Sequence, residues 1–133
     1  MAAIYYKTPY RQGEVDLTTS YQDVVAGVAT STDVLRLSIS NTGATDRIVS
    51  LQDENGKTID SVLVPANSGL PGTLGTTVPA VDLLNGGVWI SGTRLDAYQN
   101  RIYGLAGTAN KIRAKQDTGT DCQIQWLAAD YAS

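Results

Sequence analysis

Between RIVSLQD (residues 47–53) and KTIDSVLVP (57–65) lie Glu54, Asn55 and Gly56. Asn-Gly is the strongest short signal for a β-hairpin, because both central residues of a type I′ turn need positive φ. With Asn55 and Gly56 as the loop, Glu54 faces Lys57, an opposite-charge pair. The register then sets Ser50 against Ser61, Val49 against Val62, Ile48 against Leu63 and Gln52 against Ile59. A four-residue loop would instead set Val49 against Asp60 and Ile48 against Ser61. Cross-strand pairs contribute roughly 0.2–1 kcal/mol each, so the matched pairs favour the two-residue loop. One face of this hairpin carries Val49, Leu51, Val62 and Val64; the other carries Ile48, Ile59 and Leu63 among serines. A sheet that faces water alternates apolar-in and polar-out. This hairpin is therefore expected to be partly covered on both faces, by its own chain or by a partner.

The same period of two recurs along the chain. Leu35, Leu37 and Ile39 alternate with Arg36, Ser38 and Ser40, and Cys122, Ile124 and Trp126 alternate with Gln123 and Gln125. Lys111, Arg113 and Lys115 alternate with Ile112 and Ala114. Further strands are predicted at 21–25, 47–52, 58–64, 87–91, 94–98 and 101–105, the last two as a hairpin about Gln99-Asn100. About eight short strands with turn signals between them predict an all-β, single antiparallel β-sandwich, jelly-roll or Ig-like. Two segments fall outside that pattern. Residues 1–16 read as an N-terminal arm before a sandwich at 17–133. The arm carries Tyr5, Tyr6 and Tyr10, and such tyrosine density suits a segment lying on something, either a partner or its own core. Residues 65–87 read as a long Gly/Pro loop, within which VPAVDLLNGG is expected to form one helical turn.

The inventory of reactive groups is thin. There is no histidine, which removes the commonest general base and metal ligand together. The single cysteine, Cys122, rules out an internal disulfide and lies on the face shared with Ile124 and Trp126, where a thiol is inert. No serine sits in a Gly-x-Ser-x-Gly elbow, and SGLPGTLGTT lacks the lysine of a phosphate-binding loop. Asp46, Asp53, Glu54, Asp82, Asp96, Asp117 and Asp121 lie near turns, where acidic residues mostly cap backbone. A spatial carboxylate pair or a loop calcium site is the rarer alternative, and no EF-hand spacing is present. The expectation is a non-enzyme with no cofactor and no metal. The net charge of −3 without a basic block argues against nucleic acid, and no run approaches the roughly 18 apolar residues of a membrane span. The opening residues lack the apolar stretch of a signal peptide. The basic face Lys111, Arg113, Lys115 is expected to be solvated and edge-protecting, or to meet an acidic partner. Trp126 is expected in the core; Trp89, between Val88 and Ile90, has no assigned direction.

Three stretches, RIVSLQDENGKTIDSVLVPANSG, VPAVDLLNGG and KIRAKQDTGTDCQIQWLAAD, resemble small β-sandwich virion proteins of tailed bacteriophages over roughly residues 34–130. In those proteins a strand pair ends in a VPA element, a loop with a Leu-Leu turn follows, and an A-K strand precedes the last strand. The tyrosine-bearing arm departs from that pattern. The resemblance implies a capsid decoration (cement) protein, located in the virion and assembled in the host cytoplasm. Its partners would be the major capsid protein and itself, as a homo-oligomer with a trimer favoured. Partner contacts are expected at Tyr5, Tyr6, Tyr10 and Arg11, at Leu70 and Leu74 of the Gly/Pro loop, and at Lys111, Arg113 and Lys115. The alternatives are a tail or head-tail connector component, which would form rings, and a carbohydrate-binding β-sandwich module using tryptophan and tyrosine rings.

Overall fold

The structure, a computed structural model, describes residues 6–69, 78–84, 93–95 and 101–132. These contain no helix. The strands are β1 (Arg11–Asp16), β2 (Gln22–Ala26), β3 (Thr32–Asn41), β4 (Arg47–Gln52), β5 (Thr58–Val64), the two-residue β6 (Val81–Asp82), β7 (Thr93–Leu95), β8 (Arg101–Leu105), β9 (Lys111–Gln116) and β10 (Cys122–Asp130). One sheet runs β1-β10-β3-β8-β7, with β6 beside the far half of β3; the other runs β2-β9-β4-β5. Every pairing between these strands is antiparallel. Leaving β6 and β7 aside, the chain crosses between the sheets at every step but the β4–β5 hairpin, the order of a jelly roll, which settles the choice between jelly roll and Ig-like arrangement.

The period-2 positions meet between the sheets. Leu37, Ile39 and Ile124 from the first sheet face Val49, Leu51, Val64, Ile112 and Ala114 from the second, all fully buried. Leu17, Leu83 and Leu84 join the same core. The expected helical turn in VPAVDLLNGG is replaced by β6 pairing with Ser38 and Ile39, followed by a turn that buries Leu83 and Leu84; residues 85–87 lie outside the described residues. The strand predicted at 87–91 also lies outside them. Residues 11–16, expected as the end of an arm, form β1, the edge strand paired with β10 from Arg11↔Ala128 to Asp16↔Gln123. Gly13 leaves room there for Trp126, whose ring carbons would lie 2.7 Å from an added Cβ. Trp126 is partly buried against the core, and the Arg11 guanidinium lies 5.6 Å from its ring centroid.

The central hairpin keeps its predicted register at Ile48–Ser50, but the expected Gln52–Ile59 and Glu54–Lys57 pairs do not form, because the chain turns differently. Ile48↔Leu63, Val49↔Val62 and Ser50↔Ser61 pair as expected. The loop, however, has three residues: Gly56 N–H donates to Asp53 O (3.2 Å) and Asp53 N–H to Lys57 O (2.9 Å), with φ +79° at Gly56. The Asp53 carboxylate fixes this turn by accepting from the N–H groups of Asn55 and Lys57, both at 2.9 Å. An odd loop shifts the pairing by one, and a bulge at Ile59 shifts it back: Gln52 pairs with Thr58 while Leu51 pairs with Asp60. Ile59 consequently turns into the core instead of standing beside Ile48 and Leu63.

Candidate functional site

Three surface regions carry the polar and apolar groups that could act on something else. The first gathers the chain ends. Tyr6 pairs with Tyr131 in an isolated bridge, and Lys7 N–H donates to Asp130 O at 2.6 Å. Both phenols donate to one oxygen of the buried Asp33, Tyr6 at 2.7 Å and Tyr131 at 2.6 Å. Burial, and then the adjacent Asp33 carboxylate, push the Tyr6 phenol well above its ordinary range. Next to it Arg11 clamps Asp130 with two bonds of 2.8 and 2.9 Å, and Thr32 donates to the same carboxylate at 2.7 Å. The Arg11 bond holds the Asp130 carboxyl below the usual carboxylate range despite burial. At the opposite end of β10, Arg47 grips Asp121 from Nε and Nη2 at 3.0–3.2 Å. The fully buried Gln116 joins there, donating to Asp121 at 2.8 Å and accepting from Cys122 N–H at 2.9 Å. Arg47 lowers the Asp121 carboxyl, and burial pushes the Cys122 thiol up to about 11.

The second region is the outer face of the β2-β9-β4-β5 sheet. Lys111, Arg113 and Lys115 share it, as their alternation predicts. Asp23 draws on two of them: Lys111 Nζ donates at 3.0 Å, and Arg113 Nε stands 3.2 Å from Oδ1 without hydrogen-bond alignment. Lys115 Nζ lies 5.0 Å and the Arg113 guanidinium 5.9 Å from the Tyr21 ring centroid, within cation–π range. Beyond this stripe the Ile48↔Leu63 pair lies open, 47% and 59% exposed. Beside it β5 is the edge among the described strands, and there Ser61 N–H donates to Asp60 Oδ1 at 2.7 Å, which blunts β5 against pairing with another chain.

The third region is the outer face of the other sheet. The ladders align three rows across β1, β10 and β3: Gln12–Leu127–Arg36, Glu14–Gln125–Ser38 and Asp16–Gln123–Ser40. The middle of this grid is interlocked. Gln125 Nε2 donates to Ser40 Oγ (2.8 Å) and Gln123 Oε1 (2.7 Å), while Ser38 Oγ donates to Gln125 Oε1 (3.2 Å). Gln123 in turn donates to Asp16 at 2.9 Å. With Gly69 and Ala80 as one wall, the grid floors a trough of about 730 Å³.

The residues expected to meet partners are thus dispersed. Tyr6 and Arg11 are engaged within the chain, Tyr10 stacks edge-on against Tyr6 at 6.1 Å yet stays 46% exposed, and the basic stripe is on a different surface. Tyr5, Leu70, Leu74 and Trp89 lie outside the described residues. Several loop carboxylates act as caps: Asp46 accepts from Ala66 N–H, Asp82 from Leu84 N–H, and Asp117 from Ile48 and Thr118 N–H. Among the described residues no three potential metal ligands converge. Sequence reasoning missed the trough and the Asp33 and Asp130 clusters. The alternation of Gln, Glu and Asp along β1 and of Gln123 and Gln125 was visible, but which strands adjoin was not. No protein-family model matches the chain, and no curated protein or solved structure matches it.

Proposed function

We propose that the chain is a structural virion protein of a tailed bacteriophage, a capsid decoration protein that binds the major capsid protein and other copies of itself. The observation that supports this is the Ile48–Leu63 pair: two large aliphatic side chains face solvent directly opposite one another on a well-paired hairpin. Burying such a pair against a neighbour removes apolar surface at about 25 cal/mol per Å². Because Asp60 blunts the edge of β5, the contact is made by the face of the hairpin rather than by strand addition. Tyr21 and the cations around it extend that face with charge suited to an acidic surface. The jelly roll is also the architecture of many viral capsid domains, a fold-level analogy only. Protein mass spectrometry on particles released from cells carrying the gene tests the reading. The protein is expected in intact particles beside the capsid protein, and Leu63→Asp is expected to remove it from them while the capsid signal remains. Intact particles that lack the protein contradict it.

A further inference from the structure

We propose that the trough on the outer face of the β1-β10-β3 sheet binds a polyhydroxylated ligand, a short neutral glycan segment. This goes beyond the assembly role, which uses the opposite face. Three observations lead to it. The floor is preorganised, because the Gln125 amide is pinned by Ser38, Ser40 and Gln123, so a ligand meets groups already fixed in place. The wall is held close: at Gly69, with φ +75°, an added Cβ would lie 2.7 Å from Ser40 Cβ and 3.1 Å from Ala80 Cβ. The rim is open and of balanced charge, with Gln12, Glu14 and Arg36 all exposed around the polar floor.

That chemistry discriminates among ligands. An apolar ligand would strip water from the floor amides and hydroxyls without replacing their bonds, at about 1–3 kcal/mol per group. A polyanion would meet Glu14 as well as Arg36, the one cation among the described residues that line the trough. An extended peptide recognised by main-chain pairing would add at the outer edge of β1, beside the trough rather than across its floor, because β10 is paired on both sides. Hydroxyl groups satisfy what remains. Each can donate to Glu14 or Gln12 on β1 and accept from the Gln12 amide or from Arg36 on β3, two strand spacings or roughly 10 Å away across β10. Leu127, between Gln12 and Arg36, offers a small apolar platform for the C–H face of a ring.

The test is ligand-observed NMR and calorimetry on the whole chain with maltotriose, cellotriose, mannotriose and chitotriose as probes. At least one is expected to bind saturably with Kd on the order of 1 mM or tighter. Arg36→Ala, at an exposed side chain, is expected to weaken binding about tenfold with an unchanged thermal midpoint. Gln125→Ala is expected to weaken it at least as much. Leu63→Asp, on the opposite sheet, is expected to bind as the parent does, so the assembly reading and this one fail separately. Absence of saturable binding by all four probes, or binding that survives both Arg36→Ala and Gln125→Ala, overturns the proposal.

Discussion

The two outer faces of this sandwich are built from the same kind of strand yet end up chemically opposed. On the β1-β10-β3 side, apart from Leu127 and Arg36 in one row, the outward residues of the grid are amides, hydroxyls and carboxylates, several bonded to one another across strands. On the β2-β9-β4-β5 side, outward residues include an open aliphatic pair and a row of cations leaning on Tyr21 and Asp23. A self-satisfied polar face has little to gain by pairing with another protein, because each bond it forms replaces one already made or one to water. An exposed aliphatic pair gains by being covered. The proposed assembly contact accordingly uses the second sheet, and the proposed hydrophilic ligand the first.

The comparison is broken most severely by removing what the faces share. Ile124→Ala, in the fully buried seam between the sheets, is expected to cost about 2–5 kcal/mol and to degrade both faces together in chemical denaturation. Asp121→Ala removes the carboxylate that Arg47 and the buried Gln116 amide share, leaving each with Thr118 alone, and is expected to cost about 1–3 kcal/mol. The Asp121 and Asp130 clamps also set the acid response. Their folded-state pKa values lie below the unfolded ones, so their stabilisation is present above the ordinary carboxylate pKa, near 4, and is lost as pH falls through the lowered values. The thermal midpoint is therefore expected to drop between about pH 5 and pH 2, and to drop less in Arg47→Ala. Gly13→Ala drives a methyl into the Trp126 ring; it is expected to cost about 1–3 kcal/mol and to loosen β1, hence the trough and not the hairpin face. Hydrogen exchange of β1 and β4 amides separates the two. Ile48→Asp or Leu63→Asp should change stability by only about 0.5 kcal/mol while changing association.

How far the sequence could be read follows from the range of the interactions. The register of the β4–β5 hairpin was legible because apolar and serine positions match across a short loop. Its turn was not, because Asn55-Gly56 serves a two-residue and a three-residue loop alike, and the Ile59 bulge that restores the register is chosen by the core. β3 behaves similarly. Leu37 and Ile39 lie inward as their alternation predicts, while the irregularity opposite Leu127/Ala128 brings Val34 inward and sets Leu35 out of phase. The basic stripe was visible in Lys111, Arg113 and Lys115, yet its partners Asp23 and Tyr21 became apparent only when β2 paired with β9. Arg11 and Asp130 lie 119 residues apart, and no local pattern announces a contact that the jelly-roll topology creates. The trough has the same origin: three ordinary polar strand faces acquire meaning once β1, β10 and β3 are neighbours.

On the proposed function, the Ile48–Leu63 face is covered by another protein subunit. Sedimentation equilibrium of the purified chain beside its Leu63→Asp variant tests it most directly. A self-associating parent, a trimer at saturation, and a monomeric variant with the same thermal midpoint are expected. A parent that stays monomeric, or a variant that associates as strongly as the parent, would contradict it.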